Sequence, residues 1–216
     1  MNFSEITKIT IPEGNVSKIT DSHGNILWSF SPVTFLDYII MPAKSYTIIP
    51  FTGDLNHVRF DFSHIINYSV SNTSLLGLTY NSYDYLQFNV FSTTFYTKFI
   101  DVKENIYSNQ ALSEQWISYL CDTDSTNYNM NIKKLDDSSI IKSASAAKSQ
   151  SNNIPELVYI NIGSSSSSKP LNVKLFEVNN IVYKPAKDKD GVIGLFDTKN
   201  KILYSSATTT SFIEPN

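Results

Sequence analysis

NHVRFDFSHI, residues 56–65, alternates without a break: Val58, Phe60, Phe62 and His64 fall on one face, and His57, Arg59, Asp61 and Ser63 on the other. A period of two marks a half-buried strand, with one face on a core and the other toward solvent. Outward from it the same rhythm recurs in Leu75 to Tyr80, Tyr85 to Phe91, Phe95 to Val102 and Val158 to Ile162. Further on, Leu171, Val173 and Leu175 alternate with Asn172, Lys174 and Phe176; Asn179-Asn180 supplies a two-residue turn tolerant of positive φ, and Ile181 to Tyr183 returns. Gly191 to Phe196 then meets Ile202 to Tyr204 across the turn Asp197 to Lys201. Short strands joined by turns, with no helices between them to carry parallel crossovers, predict an all-β antiparallel sandwich or barrel.

Two segments break the rhythm. Asn109 to Leu120 places Ala111, Leu112, Trp116, Ile117 and Leu120 near one face at helical spacing, which predicts one short helix with Trp116 packed inward. From Asn131 to Asn153 the chain becomes low in complexity, and a long surface loop is expected there. Ser164 to Ser168, five serines in a row, reads as a flexible turn.

The 216 residues suffice for one large domain plus a short appendage, and 41% hydrophobic content supplies a sizeable core. Residues 1–30 read as a small β unit. Ile6, Ile9 and Ile11 precede a Pro-Glu-Gly-Asn turn, and Ile26, Trp28 and Phe30 follow a second turn. A unit of two or three short strands cannot stabilise itself in water, so its apolar face needs an external surface. Ser31-Pro32 marks the joint to a larger domain over residues 31–216. The net charge of −3 argues against a nucleic-acid arm, and no apolar run is long enough to insert in a membrane. The single cysteine, Cys121, excludes an intramolecular disulfide.

No catalytic pattern is visible. Glycosidase chemistry needs two carboxyl groups across a sugar site, whereas Asp61, Asp84, Glu104 and Glu114 are isolated. His57 and His64, seven residues apart, fall on opposite faces of one strand and His23 lies in a turn, so a zinc site lacks its ligands. Asp122, Asp124, Asp188 and Asp190 could supply oxygen ligands to calcium, but no EF-hand loop surrounds them and solvated turn aspartates fit better. No cofactor, no metal and no enzymatic activity are expected. Candidate ligand-binding residues are the aromatics Tyr80, Tyr83 and Tyr85 together with the polar face of the first strand, His57, Arg59 and Asp61.

FLDYIIMPAKSYTIIPF, residues 35–51, resembles the opening of concanavalin A-like (laminin G-like) jelly-roll domains in tailed-phage and prophage structural proteins. The stretch from Val173 to Ile213, with its Gly-x-x-Gly-Leu-Phe-Asp hairpin, is similar to the same family's closing pattern. Residues 6–30 are similar to a short hairpin module of phage virion proteins, matched by Val16, Ile19, Asp21, Gly24, Leu27 and Trp28. The resemblance implies a jelly-roll β-sandwich on a virion surface protein, tail-fibre-like or capsid-decorating, made in the host cytoplasm and located on the virion. Its partners would be other virion proteins, through residues 1–30 (Ile6, Ile9, Ile11, Trp28, Phe30), a host surface glycan, and further copies of itself. A structural adaptor without a host ligand and a bacterial carbohydrate-binding module are the alternatives. The acidic strand motif of the family's glycosidases is missing.

Overall fold

The computed structural model describes residues 18–20, 26–29, 33–64, 73–91, 94–107 and 112–215. In chain order the strands are β1 (Lys18–Thr20), β2 (Ile26–Ser29), β3 (Thr34–Phe35), β4 (Ile39–Met41), β5 (Tyr46–Asp54) and β6 (His57–His64). They continue with β7 (Thr73–Tyr80), β8 (Tyr83–Phe91), β9 (Thr94–Phe99), β10 (Val102–Tyr107), β11 (Ile117–Thr123) and β12 (Asn127–Lys134). The last six are β13 (Ile140–Ala147), β14 (Asn153–Gly163), β15 (Leu171–Val178), β16 (Ile181–Lys187), β17 (Ile193–Asp197) and β18 (Ile202–Ser205).

These strands make two layers. A six-stranded sheet has the order β10-β9-β8-β7-β14-β5, and a ten-stranded sheet runs β13-β12-β11-β6-β15-β16-β17-β18 with β3 beside β16 and β4 beside β15. The long strands β5 and β14 pair antiparallel in one layer, and the strands that follow them, β6 and β15, pair antiparallel in the other. Two antiparallel lengths of chain thus wind together around the core, which is the jelly-roll form of the antiparallel sandwich. β1 and β2 form a separate two-stranded sheet with Ile19 opposite Trp28.

Alternation builds the interior. Val58, Phe60 and Phe62 of β6 are fully buried, with Phe60 opposite Tyr119 of β11 on one side and Phe176 of β15 on the other. Phe88 of β8 meets Phe62 edge-on at 4.9 Å and Tyr119 at 5.3 Å between ring centres, joining the layers. The Tyr119 hydroxyl donates to the Lys98 carbonyl of β9 at 3.0 Å, so this buried phenol is satisfied across the sandwich. Cys121 of β11 is completely buried, and burial pushes its thiol well up from the ordinary value. His64 closes one end of β6; its Nδ1–H donates to the Pro170 carbonyl at 2.9 Å.

Both lateral margins are pinned. On one side Lys142 of β13 pairs with Glu104 of β10 at 3.2 Å. On the other, the Thr47 hydroxyl of β5 donates to the Ser205 carbonyl of β18, and Ala207 N–H to the Tyr46 carbonyl, each at 2.8 Å. The outermost strands are therefore tied across the layers, which blunts edge pairing.

The turns follow their residues. Asn179 and Asn180 have φ of 47° and 64° in the β15–β16 hairpin, as their side chains allow, and Asn81 and Ser82 do the same between β7 and β8. The β17–β18 turn is held by Asp197, whose Oδ1 accepts Lys199 and Asn200 N–H groups at 2.9 and 2.7 Å.

Two expectations are corrected. No helix spans 109–120: among the described residues, Glu114 turns the chain with φ of 64°, and Ile117–Thr123 is a strand hydrogen-bonded between β6 and β12. The helical spacing was spurious because Ile117, Ser118 and Tyr119 are buried in succession, a pattern of a central strand covered on both faces. Trp116 accordingly sits at the entrance to β11, not on a helix. The expected loop over 131–153 is largely strand, since Ile140–Ala147 pairs with β12 from Asn127↔Ala147 to Lys133↔Ile140. Its serines face out while Ala144 and Ala146 pack on the core, so small side chains and backbone bonds suffice at this margin.

Candidate functional site

The outward side of the six-stranded sheet carries a cleft of about 390 Å³, within the range of small-molecule sites. Alternation sets its walls. Along β5, Tyr46, Ile48 and Pro50 point away from the core that Thr47, Ile49 and Phe51 enter; along β14, Tyr159 and Asn161 do the same opposite Ile160 and Ile162. Asn161 lies in register with Gly77 of β7, and Gly77 with Gln87 of β8. Ser74 and Thr79 of β7 and the turn residues Ser164 and Ser165 complete the lining, so the serine run forms one rim. None of the lining side chains among the described residues is charged at neutral pH. Among the described residues, the side chains of Tyr46, Gln87 and Asn161 have no hydrogen-bond partner, and Tyr159 beside the cleft is 48% exposed. Free amides and hydroxyls beside aromatic faces can bond and stack on a polar ring with apolar faces.

The ten-stranded sheet turns His57, Arg59 and Asp61 outward, where the structure ties them to each other and to neighbouring strands. The Asp61 carboxylate is buried and accepts Arg59 Nε at 3.1 Å, Arg59 Nη2 at 2.6 Å and the Ser118 hydroxyl at 2.6 Å. The hydrogen bond to Asp61 holds the Arg59 pKa above its ordinary value. His57 Nδ1 donates to Asp122 at 2.6 Å, and its Nε2 lies 3.8 Å from Glu177. Arg59 and Asp61 line a groove of about 420 Å³ that has Leu36, Leu175, Lys174 and Lys184 among its other walls. Trp116 flanks it, edge-on to Tyr38 at 5.2 Å and under the Lys174 ammonium at 5.4 Å.

Tyr80, Tyr83 and Tyr85 cluster at the β7–β8 hairpin, with Tyr83 and Tyr85 edge-on at 5.1 Å. The Tyr83 hydroxyl donates to the Ile100 carbonyl at 2.9 Å, and Ile100 N–H to the Tyr85 carbonyl at 2.7 Å. Ile100 has φ of 53°, which a β-branched residue adopts only when its surroundings hold it there. Lys98 Nζ sits 3.8 Å above the Tyr83 ring, and burial together with Asp101 pushes the Tyr83 phenol up to about 12. Tyr80 and Tyr85 pack partly on the core. The two sets of sequence candidates thus lie on different sheets and do not form one site.

The four aspartates do separate work. Asp124 accepts Thr126 N–H, Asn127 N–H and Asn129, Asp188 accepts Asp190 and Val192 N–H, Asp190 accepts the Lys189 ammonium, and Asp122, within β11, takes His57. The Asn129 amide and the two backbone N–H groups hold the Asp124 carboxyl well below the usual range. Among the described residues no three His, Cys, Asp or Glu side chains converge as a metal site would require. Of the attachment candidates, Ile6, Ile9, Ile11 and Phe30 lie outside the described residues, and Trp28 is placed by its backbone in β2. Gln87 and Asn161 escape sequence reading because the register that brings them together joins strands more than seventy residues apart.

No protein-family model and no curated protein matches the sequence. Among solved structures, scytalido-glutamic peptidase with a transition-state analog inhibitor aligns at 12% identity over 84% of this chain and 98% of that one, with a TM-score of 0.36. Arcelin-5, a lectin-like defence protein from Phaseolus vulgaris, aligns at 13% identity over 80% and 91%, with a TM-score of 0.39. Peanut lectin aligns at 12% identity over 78% and 93%, with a TM-score of 0.33. What these likenesses concern is the layered all-β architecture. With a peptidase aligned beside lectins, the expectation of no enzymatic activity is withdrawn, and these likenesses assign no activity to this chain.

Proposed function

We propose that the protein is a surface protein of a tailed-phage particle whose sandwich recognises host glycans non-covalently through the cleft on the six-stranded sheet. One observation carries the recognition: a cleft of about 390 Å³ walled by hydroxyls, amides, glycines and a single tyrosine, with the side chains of Tyr46, Gln87 and Asn161 free of partners among the described residues. Pyranose rings present the complementary chemistry, hydroxyls at the edge and C–H groups on the faces. Arg59, Asp61, Tyr83 and their neighbours rank second as ligand contacts, because their polar atoms are already bonded within the chain.

The setting on a particle is supported by the resemblance of residues 6–30 and of both ends of the larger domain to virion modules, and by the pairing of β1 with β2 as a sheet of their own. In this reading residues 1–30 attach to other virion proteins and the sandwich faces outward in several copies. Screening the full chain on a glycan array tests recognition. Reproducible binding that Tyr46→Ala weakens about tenfold is expected, the scale of one lost aromatic contact. Silence across the array, with particle incorporation intact, would leave a structural adaptor. Deleting residues 1–30 should yield a folded sandwich that no longer joins particles; loss of folding would reject the division.

A further inference from the structure

Resting on that reading of the cleft, we infer that its ligand is an uncharged sugar residue and that Gly77 sets this specificity by leaving a slot between two amides. Five glycines lie among the described residues, and four are required by the backbone. A Cβ on Gly163 or Gly194 would meet main-chain oxygen at 2.6 or 2.5 Å, and Gly53 and Gly191 take positive φ of 95° and 82°. Gly77 has neither reason: it sits inside β7 with a β-strand backbone, and a Cβ there would meet only the Ser74 hydroxyl at 3.4 Å. The register of β7 shifts between Ser74 and Leu76 and between Leu78 and Thr79, but Gly77 pairs regularly with Gln87 between those points; glycine within a regular strand weakens it and marks places where something approaches the backbone closely.

In the folded protein, what approaches Gly77 is open space in the cleft. Its cross-strand neighbours, Asn161 on β14 and Gln87 on β8, stand on either side about 10 Å apart, two strand spacings. Any side chain at position 77 would fill that gap. The missing one leaves a floor on which a ring can lie edge-down, its hydroxyls bridging the Asn161 and Gln87 amides, with Tyr46 and the serines 164 and 165 at the rim. Among the described lining residues an ionised ligand would find no counter-charge, and the nearby ammonium of Lys98, beside Gln87 on β9, is held 3.8 Å above the Tyr83 ring, so desolvating a carboxylate in the cleft would go uncompensated. An uncharged polyol loses nothing by comparison.

The test uses the full-length protein against soluble polysaccharides, neutral (dextran, galactomannan) and carboxylated (polygalacturonate, hyaluronate), by affinity electrophoresis and calorimetry. At least one neutral polymer should be retained and the carboxylated ones not. Gly77→Val, whose branched side chain suits a strand, should weaken that retention more than tenfold with the melting temperature unchanged or raised. Gly77→Ala should give an intermediate loss, and it serves if the valine variant fails to fold. Retention of carboxylated polymers alone, or binding by Gly77→Val equal to the parent protein, would overturn the inference while leaving glycan recognition standing. Binding to no polysaccharide here and none on the array would overturn both.

Discussion

On the outer side of the ten-stranded sheet, Asp61 takes up Arg59 and Ser118, and His57 is held by Asp122. On the outer side of the six-stranded sheet, the side chains of Tyr46, Gln87 and Asn161 bond to nothing among the described residues. Both surfaces are polar, and both belong to strands whose inner faces are equally apolar. The difference teaches that polarity on a sheet surface marks a site only when its donors and acceptors are left over, since groups already paired with each other have little left to give a ligand.

The largest perturbation erases the contrast altogether. Phe88 touches Phe62 and Tyr119 of the opposite layer, so Phe88→Ala should cost about 4 kcal/mol in chemical denaturation, with both faces lost in one transition. Separate transitions for the two sheets would show that they do not share one core. Next, Asp61→Ala leaves the Arg59 guanidinium and the Ser118 hydroxyl without their acceptor, and a loss of about 2 kcal/mol is expected with glycan binding unchanged. A parallel loss of binding would join the two faces functionally and defeat the contrast.

Smaller effects sharpen it. Tyr83→Phe removes the hydroxyl that holds the Ile100 carbonyl and should lower stability by about 1 kcal/mol, again without touching the cleft. His64, on the ten-stranded sheet, supplies a pH dependence to the stability of the whole fold. Burial lowers its pKa below the ordinary 6.5 despite the Pro170 carbonyl, so the unfolded chain takes up a proton more readily than the folded one. Stability should therefore fall as pH drops from 7.5 through 6.5 toward the folded value. Urea midpoints at pH 7.5 and 5.5 measure it, and His64→Gln should flatten that part of the profile.

The sequence makes the layers legible wherever apolar side chains take one face of a strand and polar ones the other, as in residues 57–64, where the alternation shows even though Asp61 and Ser63 are buried. It misleads where that asymmetry vanishes. β11 is buried on both sides at its start, so its apolar residues fall by chance at helical intervals; β13 has side chains too small to show a period. The β15–β16 turn is readable because Asn179-Asn180 is a local signal, whereas the cleft is not, because it arises from the register of β14, β7 and β8. Gly77 carries a faint local trace of it, a glycine in a strand that otherwise reads Leu-Leu-x-Leu.

The sealed position of Cys121 has a practical corollary. With the only native thiol shut inside the sandwich and kept protonated by burial, maleimide reagents have no natural target in this chain. A cysteine introduced at exposed Thr79 or Ser165 would be the single position to accept a fluorophore, turning the protein into its own reporter of occupancy without any native residue having to be removed first.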